Sequence, residues 1–159
     1  MMHAEPQPEH LWLQKLIGNW TFETEANMGP DQPSSKFAGK EVVRSLGGLW
    51  MLCEGQGAMP EGGTAFTLMT LGFDPERKKY LGTFIGSMMT HMWVYEGERK
   101  GNVLTLNTVG PSFTGDGAMV EYQDIIELKS DDHRVLSSQT KGPDGSWTRF
   151  MTANYHRVK

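Results

Sequence analysis

At Gly18-Asn19-Trp20 the chain changes its hydrophobic period, and that change limits the fold more than any other feature of the sequence. Before it, Leu11, Trp12, Lys15 and Leu16 fall at helical spacing, with Pro6 and Pro8 at the entry and Gly18 as the stop. This predicts a short helix over about residues 7–17. After it, Trp20, Phe22, Thr24 and Ala26 alternate with Thr21, Glu23 and Glu25, the period of two that a half-buried strand requires. Alternating runs continue over residues 37–46, 49–57, 64–73, 79–86, 91–96, 102–109, 119–129, 134–141 and 147–157. About ten strands are expected, within residues 19–157.

The joints between these runs are turn residues: Gly47-Gly48, Pro60-Glu61-Gly62-Gly63, Asp74-Pro75-Glu76-Arg77, Ser130-Asp131-Asp132-His133 and Gly142-Pro143-Asp144-Gly145. Gly29-Pro30-Asp31-Gln32-Pro33 is a longer break, expected as a mobile loop at one mouth, and residues 110–117 form a second. No second helical stretch interrupts the series, so consecutive strands pair antiparallel and the fold class is all-β. Many of the nineteen glycines sit inside strand runs, as at Gly39, Gly55, Gly72, Gly82 and Gly86, where a small barrel bends its corners. The expected architecture is an up-and-down β-barrel capped by the N-terminal helix; an open two-sheet sandwich is the alternative.

The 159 residues suit one domain over residues 1–159. Fifteen Lys and Arg against nineteen Asp and Glu give a net charge of −4 with no basic stripe, which argues against nucleic acid as a partner. No apolar run is long enough to cross a bilayer as a helix, so no membrane partner is expected. The first residues lack a basic and then apolar secretory signal, and the expectation is a cytoplasmic protein of bacterial type. The lone Cys53, without a basic neighbour in Leu49-Trp50-Met51-Leu52-Cys53-Glu54, reads as a buried structural thiol. No two of the five histidines have metal-pair spacing, and no metal is expected. Nucleophile-elbow, P-loop, dinucleotide and zinc-protease motifs are all missing, so no catalytic residue is assigned.

Leu16-Ile17-Gly18-Asn19-Trp20, then Gly47-Gly48 and Phe73-Asp74-Pro75, resemble a bacterial family known as domain of unknown function 1579, from about His10 onward. That family is similar to the calycin-type barrels, which include lipocalins, fatty-acid-binding proteins and haem-binding nitrobindins. The resemblance implies a calycin-like barrel with the Trp20 indole across its closed end and a ligand inside. It also raises haem as a cofactor, held by a late histidine, for which His156 is the only counterpart here. The residues depart from that pattern. Thr21-Phe22-Glu23-Thr24 replaces the expected further glycines, lipocalin disulfides are absent, and no Arg-x-Tyr ending is assigned.

The polar side of each strand indicates which residues point inward. Glu121, Gln123 and Glu127 outside leave Tyr122, Asp124, Ile126 and Leu128 inside; Glu96 and Glu98 outside turn His91, Trp93 and Tyr95 inward. Thr148, Thr152 and Asn154 outside turn Trp147, Arg149, Met151 and Tyr155 inward, and the neighbouring strand offers Ser137 and Gln139. The expected ligand site is thus His91, Tyr122, Asp124, Gln139 and Arg149 among aromatic walls of Trp50, Phe84, Trp93 and Trp147. Apolar area with a few convergent polar groups suits a small, mainly apolar or amphipathic molecule, with Arg149 meeting a polar or anionic end. Three alternatives stay open: Asp124 and Arg149 paired with each other, His91 and Asp124 as an acid–base pair of an enzyme, and a homodimer or larger oligomer formed through Phe150, Met92 and Val94. The eleven methionines serve either as adaptable lining or as core filler.

Overall fold

The structure is a computed structural model that describes residues 4–27 and 34–159; the turn expected over residues 29–33 lies outside them. Helix α1 (Pro8–Gln14) leads into β1 (Gly18–Ala26), β2 (Ser35–Leu46), β3 (Trp50–Ala58), β4 (Thr64–Asp74) and β5 (Lys79–Gly86). The chain continues through β6 (Trp93–Lys100), β7 (Val103–Pro111), β8 (Met119–Ser130), β9 (His133–Lys141) and β10 (Trp147–Arg157). Each strand pairs antiparallel with the next, and β10 returns to β1, so the sheet closes. Closure leaves no unpaired sheet edge, the alternative that an open sandwich would have presented.

Helix α1 is shorter than its apolar spacing suggests. Its N-terminus is closed by Gln7, whose backbone N–H donates to His10 Nδ1 at 2.8 Å, while His10 Nε2 donates to the Phe73 carbonyl at 3.0 Å. Residues 15–17 tighten into i→i+3 bonds, Leu16 N–H to Leu13 O at 3.0 Å and Ile17 N–H to Gln14 O at 3.1 Å. This turn lets Trp12, Leu13 and Leu16 face one end of the barrel, where all are buried. Full burial of a Leu side chain contributes about 1.5–3 kcal/mol, which is what fastens so short a helix to the sheet.

Trp20 explains the period change at the start of β1. Its ring is fully buried, its Nε1 donates to the Leu16 carbonyl at 2.8 Å, and Arg134 and Arg157 lie over it at 4.6 and 4.3 Å. Gly18 has φ of 140°, and a Cβ there would run into Arg157 Nη1. Only glycine combines that backbone with that approach. Arg157 then reaches back to the Ile17 and Lys15 carbonyls at 2.6 and 2.8 Å, so the last strand holds the turn that the helix leaves open.

Two irregularities decide which side chains enter the lumen. The pairing of β10 with β9 shifts between Arg149 and Met151, and that of β8 with β9 shifts between Leu128 and Ser130. At the first, Phe150 is the extra residue, so Arg149 and Met151 face opposite sides although they are two apart. Sixth-strand pairing begins at Trp93 rather than at residue 91, and His91 lies in the preceding turn segment.

Candidate functional site

The interior divides into three layers between the helix end and the opposite mouth. Nearest the helix is a buried ion pair. Arg134 on β9 donates through Nη2 to Glu41 Oε1 on β2, with side chains 6% and 9% exposed. The guanidinium lies 4.0 Å from the Tyr155 ring centroid as well as over Trp20, so two aromatic rings pack against it. Burial, and next the Glu41 charge, push the Tyr155 hydroxyl and the Cys53 thiol well above their ordinary values. Cys53 is buried, as the sequence led one to expect.

The ion pair forms part of the wall of a cavity of about 140 Å³. Its wall is mostly apolar, with Leu16, Phe22, Met69, Phe84, Met151 and Ala153 among the lining, and with Glu41, Arg134, Thr24, Thr67, Cys53 and Tyr155 as its polar groups. Met88, from the segment before β6, also lines it. The methionines thus take both roles expected of them: Met51 is core, whereas Met69, Met88 and Met151 border open space.

Beside the cavity stands a packed polar cluster. Asp124 on β8 accepts from Tyr95 Oη on β6 and from Ser138 Oγ on β9, the latter at 2.6 Å. Burial raises the Asp124 carboxyl above its ordinary value, and the Ser138 and Tyr95 hydrogen bonds hold that rise back. Tyr95 is pushed up by burial and then by the Asp124 charge. Thr108 Oγ1 is buried without a hydrogen-bond partner among the described residues.

Aromatic rings cluster at the mouth, on the side of β6, β8 and β10. Trp93 meets His91 edge-on at 4.7 Å and Tyr122 at 5.0 Å; Phe113 meets Tyr122 at 5.5 Å and Phe150 at 4.7 Å. Tyr122 Oη donates to the Pro111 carbonyl at 2.5 Å. Trp93 packs where a Cβ on Gly110 would stand, which is why β7 carries glycine there.

Of the nine residues expected to form the site, Phe84, Trp93, Tyr122 and Asp124 point into the barrel and His91 packs at its mouth, but among them Phe84 alone lines the cavity. Arg149, Gln139, Trp147 and Trp50 lie outside. Arg149 is exposed and sits opposite Gln139, which donates to Gln123 Oε1 at 2.7 Å in an outer amide row. Trp147 is 37% exposed, with Lys141 Nζ 6.0 Å from its ring, and Trp50, 39% exposed, covers Gly72. The bulge at Phe150 inverted the face expected for Trp147 and Arg149. On β9 the inward polar residues are Arg134 and Ser138, one step from the Ser137 and Gln139 expected, because both phases of that strand carry polar side chains.

These placements dissolve two expected pairs. Asp124 is bonded to Tyr95 and Ser138, not to Arg149, and His91 Nε2 is buried with no hydrogen-bond partner among the described residues. No His91–Asp124 hydrogen bond assembles an acid–base pair. Phe150, expected on an oligomer face, packs into the mouth cluster, whereas Met92 and Val94 stay exposed. Haem does not fit either: His156 stacks on His133 at 4.7 Å on the outer face, and the cavity is far too small for a porphyrin. Among the described residues, no group of three or more His, Cys, Asp or Glu is placed to hold a metal ion, and no helix is long and apolar enough to cross a membrane.

Glu41, Arg134, Tyr95, Ser138 and Phe113 were not among the expected site residues. A signal existed for the first two. Glu41 falls on the apolar phase Phe37, Gly39, Val43, and Arg134 on the phase of Leu136, so two opposite charges each interrupt an inward face.

Several solved structures share the barrel. The M. tuberculosis protein Rv2717c superposes with a TM-score of 0.66 at 15% identity, covering 98% of this chain and 100% of that one. The S-type phycobiliprotein lyase CPES from Guillardia theta gives 0.58 at 13% identity, covering 97% and 99%. EF1p2_mFAP2b, bound to DFHBI, gives 0.52 at 14% identity, covering 94% and 98%. At such identities the likeness is one of fold. No curated protein matches the sequence. The family model for proteins of unknown function named DUF1579 matches residues 5–157, and the chain belongs to that family.

Proposed function

We propose that this barrel binds one small, mainly apolar molecule in its lumen. The observation that carries the reading is the cavity of about 140 Å³ in the lumen, walled in part by the Glu41–Arg134 pair. Close packing is the rule in protein interiors, and side chains of this size would normally fill such a space. A dry apolar cavity of about 150 Å³ is known to take benzene, which sets the scale of the guest at a single ring or a short branched chain. Support of a weaker kind comes from the fold, since a barrel of the same shape carries DFHBI. The polar end of the guest belongs beside Arg134 in the lumen, not at Arg149, which is exposed.

The test pairs the wild-type protein with Ala153→Leu, since Ala153 is buried and lines the cavity. Native mass spectrometry of protein purified from cells, followed by titration with benzene and cyclohexane monitored by amide NMR shifts, reads occupancy directly. Shifts confined to lumen residues and lost in Ala153→Leu are expected. A bare mass with no lumen shifts at saturating probe would overturn the proposal.

A further inference from the structure

We infer that the lumen selects guests whose polar end is an uncharged hydrogen-bond acceptor, a ketone, ester or amide carbonyl, and rejects carboxylates. This deepens the lumen-binding proposal and rests on it. Three observations converge on Arg134. Its side chain is 6% exposed and lines the cavity. Its Nη2 is taken by Glu41, while its Nη1 has no hydrogen-bond partner among the described residues. Its guanidinium packs against the rings of Trp20 and Tyr155, 4.6 and 4.0 Å from their centroids, so the group is held in place beside the cavity.

An unused buried donor asks for an acceptor, and its charge ordinarily asks for an anion. Here the charge is already neutralised. Glu41, with a side chain 9% exposed, lines the same cavity, so a guest carboxylate would bring a second negative charge beside it in a poorly screened interior. Asp124 adds a further carboxyl on the neighbouring strand wall, and the Tyr155 hydroxyl and Cys53 thiol, both held protonated by burial, bring no positive charge. A carbonyl oxygen takes the Nη1 proton without adding charge. An alkane of the same size leaves that donor as it was.

The experiment uses the full chain and three ring-matched probes: cyclohexane, cyclohexanone and cyclohexanecarboxylate, titrated by amide NMR shifts at pH 7. The expected order is cyclohexanone tightest, by roughly tenfold over cyclohexane for a hydrogen bond to a charged donor, with the carboxylate not binding. In Glu41→Gln, which retains the Arg134 partner oxygen but removes the negative charge, cyclohexanecarboxylate is expected to bind. In the charge-free double variant Glu41→Gln/Arg134→Met, the preference for cyclohexanone over cyclohexane should vanish while cyclohexane still binds. Equal affinity for cyclohexane and cyclohexanone in the wild type, or a wild type that takes the carboxylate as well as the ketone, overturns the inference and leaves the lumen reading standing. Failure of all three probes to shift any lumen residue overturns both.

Discussion

Glu41 and Arg134, ninety-three residues apart, form a buried ion pair that ties the second strand to the ninth across the interior of the barrel. Neither strand is a neighbour of the other in the sheet, so the contact is a strut through the lumen rather than a rung of the ladder. Removing one partner of such a pair leaves an unpaired charge in a buried site. Arg134→Met should therefore cost about 3–5 kcal/mol, and Glu41→Gln/Arg134→Met should recover most of it, because the net charge buried is then zero. Urea denaturation of the two variants at pH 7 measures the difference. Equal losses would mean that the pair contributes through packing on Trp20 and Tyr155 alone.

Asp124 gives the interior a dependence on pH. Burial raises its carboxyl in the folded protein, so between the unfolded value of about 4 and the raised one the folded state binds more protons. Stability from this group is therefore present at low pH and lost as pH rises through the raised value. Asp124→Asn removes the charge, keeps one acceptor oxygen and sets an NH2 donor against the other hydroxyl, a cost that does not change with pH. Its unfolding free energy relative to the wild type should improve as pH goes from 4 to 7, read from denaturant titrations at each pH. Glu98, Asp116 and Asp144, whose carboxyls are held low by hydrogen bonds and, for Glu98, by Lys79, act in the opposite sense and cancel in this comparison.

Arg157 connects the end of β10 to the turn after α1 through the Ile17 and Lys15 carbonyls, and its Nε donates to the Asp131 carbonyl at 2.9 Å. Arg157→Ala should cost about 1–3 kcal/mol. Hydrogen exchange should show the loss concentrated in residues 8–17, with the central strands protected as before.

At the mouth, Gly110 and Trp93 occupy one space. Gly110→Ala is expected to cost about 1–3 kcal/mol by forcing the indole aside. Trp93→Phe introduced alongside should remove most of that added cost, a coupling that a double-mutant cycle measures.

Arg149 sits on the outer surface, so Arg149→Ala should leave cyclohexane and cyclohexanone affinity within about twofold of wild type and shift stability by no more than about 0.5 kcal/mol. A large loss of binding would return Arg149 to the lumen and contradict the bulge at Phe150.

The fold was legible in the sequence because it depends on local periodicity. The change at Gly18-Asn19-Trp20, the alternating runs and the turn residues between them determined a helix, ten antiparallel strands and the closed end under Trp20. Within a regular strand the same logic placed side chains correctly: Tyr122, Asp124 and Trp93 point inward. The site was less legible for two physical reasons. A bulge adds one residue and inverts every face before it, and nothing in Trp147-Thr148-Arg149-Phe150-Met151 reveals which residue is the extra one. A charge can also lie inside a barrel when its partner meets it there, and Glu41 finds Arg134 only after the sheet has closed through β1 and β10 and brought the second and ninth strands within reach of each other. Periodicity is a property of neighbours along the chain, and it determined the barrel. The cavity, its ion pair and its aromatic mouth are properties of residues that meet only across the lumen, and the tertiary structure alone decided them.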